Sequence, residues 1–426
     1  MTRLVISPAD SVRINIPFVP AQVASDNDEF DFISSYVDNV ADKLWLVNKR
    51  IHDNPELAWK EFIAHETLTE FMKTMPGWKV TTSAYGIETA FSAEYDSGVP
   101  GPVVSFNAEY DALPGIGHSC GHNLIATASL SAAIATGATM KRFGLSGRVI
   151  LFGTPAEEAD GGKIKLLNAG AYKNVDVNLM SHPGNLSDNA LVRTAAASFF
   201  KIEFFGREAH AAAAPWDGIN ALDAMVIAYT AVSALRQQTK PEDILQGMIT
   251  NGGSAPNIIH AYTSGDWIVR ANSRARANEL VKKFKACFEA AAIATGATLK
   301  ITETPGYDDQ IPNWALGRSY RYYFNKLGGD IQEPHLDAVG TSASSDEGNV
   351  SHAIPSLCPS FKLDSEVGGH NPGFAKVAGT KESFLAALRV SKALAGTAIE
   401  VLGSEEYLSE IKEEWKKSIL TAQDTF

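Results

Sequence analysis

The chain is short of several things that large classes of protein need. Its 426 residues include only three cysteines, Cys120, Cys287 and Cys358, too few and too scattered for a disulfide framework, which argues for a reducing compartment. Positive charge is also in deficit. Against 37 lysines and arginines stand 49 aspartates and glutamates, a formal net charge of -12, which argues against nucleic acid or an anionic membrane surface as the main partner, since both call for a basic patch. No apolar stretch approaches membrane-spanning length, and no cationic start leads into an apolar run. The expectation is a cytoplasmic protein without a signal peptide. The apolar content of 45% is ordinary, and a chain this long is expected to form two domains because single cores stop growing at smaller sizes.

Residues 1–30 mix prolines and acids without a clear period and read as an N-terminal arm. From Phe30 an amphipathic helix is expected, broken at His52–Leu57, with a second helix at Glu61–Met72. Short apolar runs at Thr89–Ala93, Val103–Asn107, Val149–Gly153 and Val177–Met180 read as strands, with helices after His122 and Gly161. Alternating strands and helices predict an α/β sheet with helices on its faces. The middle of the chain changes character: Ser198–Phe205, Asn220–Arg236, Ile244–Thr250, Ala261–Arg270, Ala277–Ile293 and Thr298–Glu303 give the order βαββαβ. That order is the split ferredoxin-like unit. The predicted organisation is a discontinuous α/β catalytic domain, residues 31–192 and 308–426, interrupted by a small domain at 193–307.

Chemistry-bearing residues fall in four segments. Cys120 and His122 stand two apart in the glycine-flanked run Gly117–Asn123; Glu157-Glu158 follows a strand; His182 precedes Pro183; His370 follows Gly368-Gly369. Taken singly, each has an ordinary explanation as an incidental pair, a solvated helix face or a turn histidine. Together in one chain they supply a thiolate, three imidazoles and a carboxylate, donors suited to zinc and its neighbours. Cys120, His122, Glu158, His182 and His370 therefore form a candidate ligand set for two divalent ions. Zinc is expected, with manganese or cobalt as alternatives. A metal pair lowers the pKa of a water and polarises a carbonyl, and Glu157, beside a ligating Glu158, is the candidate general base.

The runs His52-Asp-Asn-Pro-Glu-Leu57, Tyr110-Asp-Ala-Leu-Pro114, His118-Ser-Cys-Gly-His122, Pro155-Ala-Glu-Glu158 and His370 resemble the M20 metallopeptidase family, especially its amidohydrolase branch. Gly115–Ile125 and Ala211–Asp223 resemble the dipeptidase-like M20 domain-containing protein 2 group. The resemblance implies the same five ligands, Glu157 as base, and a lid and dimerisation role for the inserted domain, hence a homodimer. It implies that His210 steadies the oxyanion in a partner subunit's site, that Asn257 and Arg270 hold substrate carbonyl or carboxylate groups, and that Asp111 orients a ligating histidine. Asp346 either does similar work near the crevice or caps a loop. The remaining histidines, His52, His65, His118, His260, His335 and His352, are expected to be structural, with His118, beside the ligand loop, the first candidate for a functional role.

Three positions depart from the branch: Asn123 for aspartate, Glu109 for aspartate, and His260 for proline. The first two are expected to alter the surroundings of the ligands. The implied activity is hydrolysis of the amide bond of a small N-acyl amino acid or dipeptide. The same site run towards amide formation, and a non-catalytic binding protein on the same fold, are the competing readings.

Overall fold

The computed structural model describes residues 27–333 and 339–424. Most of the expected N-terminal arm, and His335, lie outside the described residues; the last residues of that arm already belong to the first helix, α1 (Asn27–Asp53). Along the chain follow α2 (Phe62–Lys73), β1 (Trp78–Thr82), β2 (Phe91–Asp96), β3 (Val103–Ala108), α3 (His122–Phe143), β4 (Arg148–Gly153), α4 (Gly162–Asn168), β5 (Val177–Leu179), β6 (His182–Gly184) and β7 (Val192–Arg193). The middle section contains β8 (Ala196–Phe205), α5 (Ala221–Leu235), β9 (Ile244–Asn251), β10 (Tyr262–Ala271), α6 (Arg274–Thr295) and β11 (Thr298–Tyr307). The chain ends with α7 (Trp314–Lys326), β12 (Val339–Gly340), α8 (Glu347–Ala353), β13 (Ser356–Leu357), β14 (Ser360–Lys362), α9 (Pro372–Ala378), α10 (Lys381–Gly403) and α11 (Glu405–Asp424).

The larger unit is built on a six-stranded sheet of order β1-β2-β4-β3-β5-β13. Its inner strands run parallel, β3 beside β4 and β5, and β5 beside β13, while β1 and β2 join antiparallel at one edge. Every residue of β3 is buried, as expected of a strand covered on both faces. On one face α3 packs between α1 and α10, and Leu124, Leu130, Ile134, Val390 and Leu394 are all in the core they share. By length and composition α3 could cross a membrane, against the expectation that no stretch would, yet 94% of its apolar window is buried inside the protein. It is the central core helix.

The middle section forms a separate antiparallel sheet of order β11-β8-β10-β9, with α5 and α6 packed against it over Phe200, Phe204, Trp267, Phe284 and Phe288. This is the ferredoxin-like arrangement that the βαββαβ order predicts. Its edge strand β9 is exposed over most of its length, and Met248 is 61% accessible.

Sequence reading missed β1. Its alternation of half-buried and exposed residues carries little apolar signal, and it is held by pairing with β2 through the register Trp78 to Tyr95 and Val80 to Ala93. The parallel pairs β6–β14 and β7–β12 were also missed, because two or three residues are too few to show a period.

Candidate metal centre and active site

The candidate ligands converge where the sheet's carboxyl edge meets the start of α3. Gly121 makes the turn that starts the helix: it adopts φ +80°, and a Cβ there would lie 2.6 Å from Pro183 Cγ. Both the left-handed backbone and the close approach require glycine. The contact brings the Cys120–His122 turn against the His182 segment. A second tie comes from the His370 backbone N–H, which donates to Ser119 O at 2.8 Å. His370 itself has φ +63°, an uncommon conformation for a residue with a Cβ.

The donor atoms form three overlapping groups within which all lie no more than 4.8 Å apart: Cys120, His122 and His182; Cys120, Glu158 and His370; and His122, Glu157 and Glu158. Cys120 Sγ is 3.4 Å from His182 Nε2. His370 Nε2 lies 3.3 Å from Glu158 Oε1, a distance suited to an ion pair but without hydrogen-bond alignment. All six residues named for ligation and base chemistry are thus assembled within one chain.

The two imidazoles at the centre are oriented through their other nitrogens. Asp111 Oδ1 is 3.0 Å from His122 Nδ1, and Asp111 Oδ2 accepts from the Glu158 backbone N–H at 2.9 Å. The nitrogen Nδ1 of His182 donates to Pro183 O at 2.8 Å. Each ring therefore presents Nε2 to the centre, the arrangement of a metal-ligating histidine held by an outer carboxylate or carbonyl. Asp111 sits where the resemblance places an orienting carboxylate.

Electrostatics add to this picture. Burial pushes the Cys120 thiol up to about 12, so a thiolate there needs a cation beside it. Burial likewise opposes charge on His122, but Asp111 and Cys120 outweigh it and raise its pKa. Glu157 is held well above the usual carboxylate range by burial and by the charges of Glu109, Glu158 and Asp346. For Glu158, burial is outweighed by His370 and His122, and its pKa falls. The adjacent carboxylates are driven apart.

Two observations test whether cations fit. His122 Nε2 and Glu158 Oε1 are buried with no hydrogen-bond partner, which is costly unless something else occupies their lone pairs. The donor set of one thiol, three imidazoles and carboxylate is that of borderline divalent metals. The residues fit a metal pair.

Some residues lie elsewhere. His210 and Asn257 are exposed on the small domain, joined by the Ala211 N–H to Asn257 O bond of 3.0 Å, and among the described residues no hydrogen bond or ion pair links either to the donor cluster of their own chain. Arg270 donates from Nη1 to Ser344 Oγ at 2.7 Å and stands close enough for its charge to act on His370. Asp346 does not cap its helix; its carboxylate accepts from the Lys163 backbone and ammonium. His118 remains structural, 3.2 Å from Ile51 O and pushed down to about 3 by burial.

Asn123 requires a correction. Its side-chain amide donates to Asn48 Oδ1 and Ala378 O, both at 2.9 Å, so it ties α3 to α1 and α9 and makes no side-chain hydrogen bond to a ligand. Glu109 does lie beside them. Three further residues escaped the sequence reading. Tyr307 donates its hydroxyl to Glu157 O at 2.6 Å, Glu61 Oε1 accepts the Ala156 N–H at 2.9 Å, and Lys163 is wholly buried among carboxylates. Of these only Lys163 had a sequence trace, a charge in a short apolar helix.

A family model for the M20 peptidase dimerisation domain matches residues 184–295. The Xaa-Arg dipeptidase of Mus musculus is 40% identical over 391 residues, covering 89% of this chain and 90% of the mouse protein. The chain belongs to the M20 family. The Homo sapiens Xaa-Arg dipeptidase is 38% identical over 404 residues, covering 91% of this chain and 92% of its own. Among solved structures, a dinuclear metal-binding M20 peptidase from Bacillus subtilis superposes with a TM-score of 0.66 at 18% identity, covering 86% of this chain and 99% of its own. The fold is thus that of M20 enzymes, an α/β catalytic domain with a dimerisation domain, and the chain is a metal-dependent amidohydrolase of small amide substrates.

Proposed function

We propose that this M20 enzyme cleaves the peptide bond of small dipeptides ending in a basic residue. The observation that carries the reading is the convergence of Cys120, His122, Glu158, His182 and His370 around the buried Glu157. The basic residue follows the Xaa-Arg dipeptidase relatives. The ligands would hold two divalent ions, zinc by the thiol and imidazole donors. When bound, the pair supplies an acidified water and a polarised substrate carbonyl.

The protein's own residues do the rest. Glu157 takes the proton of the attacking water and returns it to the leaving amine, for which a raised pKa is an advantage. Its backbone is fixed on one side by Tyr307 and on the other by Ala156, at φ +58°, whose N–H is held by Glu61. Arg270 is suited to the substrate's terminal carboxylate, and Asn257 to a carbonyl.

His210 accepts from the Ala212 and Ala213 N–H groups through Nδ1 at 3.2 and 3.1 Å, so in the neutral ring its proton is on Nε2. That proton would steady the oxyanion in a second copy's site. The reading therefore includes a homodimer formed through a lid at 193–307, with the catalytic domain at 31–192 and 308–426, working in the cytoplasm. The test is Glu157→Gln assayed on a panel of Xaa-Arg and N-acyl amino acid substrates. Turnover of the Xaa-Arg substrates by the native enzyme should fall by about 10²–10⁴-fold in the variant while both ions stay bound. Full activity in the variant would sink the mechanism, and an enzyme confined to N-acyl amino acids would sink the substrate assignment.

A further inference from the structure

Glu109 is left with one oxygen unexplained. Its side chain is 1% exposed, at the end of β3, and it interacts with Lys163, whose ammonium reaches both Glu109 Oε1 and Asp346 Oδ1. Lys163 is itself completely buried at the first turn of α4, where its backbone N–H also donates to Asp346 Oδ2 at 2.8 Å. Oxygen Oε1 is thus committed. The other, Oε2, is buried and has no hydrogen-bond partner. It points towards His122 Nε2, 3.6 Å away, and that nitrogen is also buried without a partner.

Two buried polar groups facing each other across such a gap without a hydrogen bond are unfavourable unless a cation, or a proton on the imidazole, lies between them. The same nitrogen, His122 Nε2, lies 3.8 Å from Glu158 Oε1 and 3.9 Å from Glu157 Oε2, so several oxygens surround it at a spacing that favours a shared cation. The gap to Glu109 is too long for a hydrogen bond. It lies at the upper end of what two donors on one ion show, because bonds of about 2.0–2.2 Å meeting near the tetrahedral angle separate nitrogen and oxygen by about 3.3–3.6 Å.

We infer that Glu109 is a further oxygen donor to an ion bound through His122, with Lys163 and Asp346 fixing its other oxygen so that Oε2 faces that ion. The lysine has a definite task in this arrangement. It neutralises the carboxylates that would otherwise crowd one buried space and locks the Glu109 side chain in one orientation. The triad joins the residue directly after β3, the start of α4 and the N-cap position of α8, so the donor is fixed by three elements at once.

The inference rests on the metal-dependent reading but can fail separately from it. The experiment is a titration of the metal-stripped full-length enzyme with Co²⁺ against a competing chelator, with stoichiometry and far-UV circular dichroism recorded. The wild type should take up two ions; if it takes up none, the reading of the centre itself is wrong. Glu109→Gln, which keeps shape and volume, should fold and still bind two ions, one of them about 10–100-fold more weakly. Because Glu109→Gln leaves Lys163 short of a counter-ion, the charge-balanced double variant Glu109→Gln with Lys163→Met is measured beside it and should show the same loss. The complementary double variant, Lys163→Met with Asp346→Asn, keeps the donor but frees its other oxygen, and should weaken binding of that ion by clearly less than the Glu109 variants do. Wild-type affinity for both ions in the Glu109 variants, or an equal loss when only Lys163 and Asp346 are changed, overturns the inference and leaves Glu109 as a counter-charge for the lysine.

Discussion

At the scale of single residues, the centre depends on backbone conformations as much as on donor atoms. Gly121 illustrates this. With φ +80° and Pro183 Cγ 2.6 Å from where a Cβ would be, Gly121→Ala must either move the His182 segment or distort the turn. We expect a loss of about 1–3 kcal/mol in stability and weaker metal binding, measured by urea denaturation and chelator competition. A variant unchanged in both would show that the turn has slack. The sequence displayed Cys120, His122, Glu157, Glu158, His182 and His370 because their residue types are informative even out of context. It could not display Glu109, Lys163 and Asp346 as one group. Ion pairs buried between residues so far apart in the chain leave no local pattern, and a lysine in an apolar helix has the same appearance whether its end reaches water or is buried.

At the scale of elements, the loop between β4 and α4 carries Glu157 and Glu158 and is tightly constrained. Ala156, Asp160 and Gly161 all have positive φ, and a Cβ on Gly162 would lie 1.7 Å from Pro155 O. Because that obstacle is backbone, it cannot swing aside. Gly162→Ala should therefore displace the loop and lower kcat by about 10²-fold, the effect of misplacing a catalytic group by an ångström, while circular dichroism stays native. Retention of wild-type kcat would mean that the loop's path is not critical. Most helices and the long strands were legible from periodicity: α5 buries Ala221, Ala224, Met225, Ala228 and Val232 on one face, and β11 alternates exposed and half-buried residues from Thr298 to Thr302. The exceptions share a cause. Edge strand β1 and the short parallel pairs are specified by their partners, and their own residues carry too little pattern to declare them.

At the scale of the whole molecule, His210 and the donor cluster belong to different parts of the chain, and among the described residues no hydrogen bond or ion pair joins them. If a second copy supplies His210, two inactive variants can repair each other. A mixture of Glu157→Gln and His210→Ala enzymes, allowed to exchange subunits, should recover up to about a quarter of wild-type activity, since half of the dimers are mixed and each has one intact site. No recovery despite demonstrated exchange would place His210's work within its own chain or remove it from the reaction. The interruption of the larger domain has another consequence, for biosynthesis. The smaller sheet and its helices lie between His182 and His370 in the chain, so they emerge and can fold while the centre still lacks its last donor. Any ion captured before His370 leaves the ribosome meets an incomplete set of ligands. Full metal loading therefore waits for the end of translation, and the supply of free metal acts on a nearly finished protein and not on a growing one.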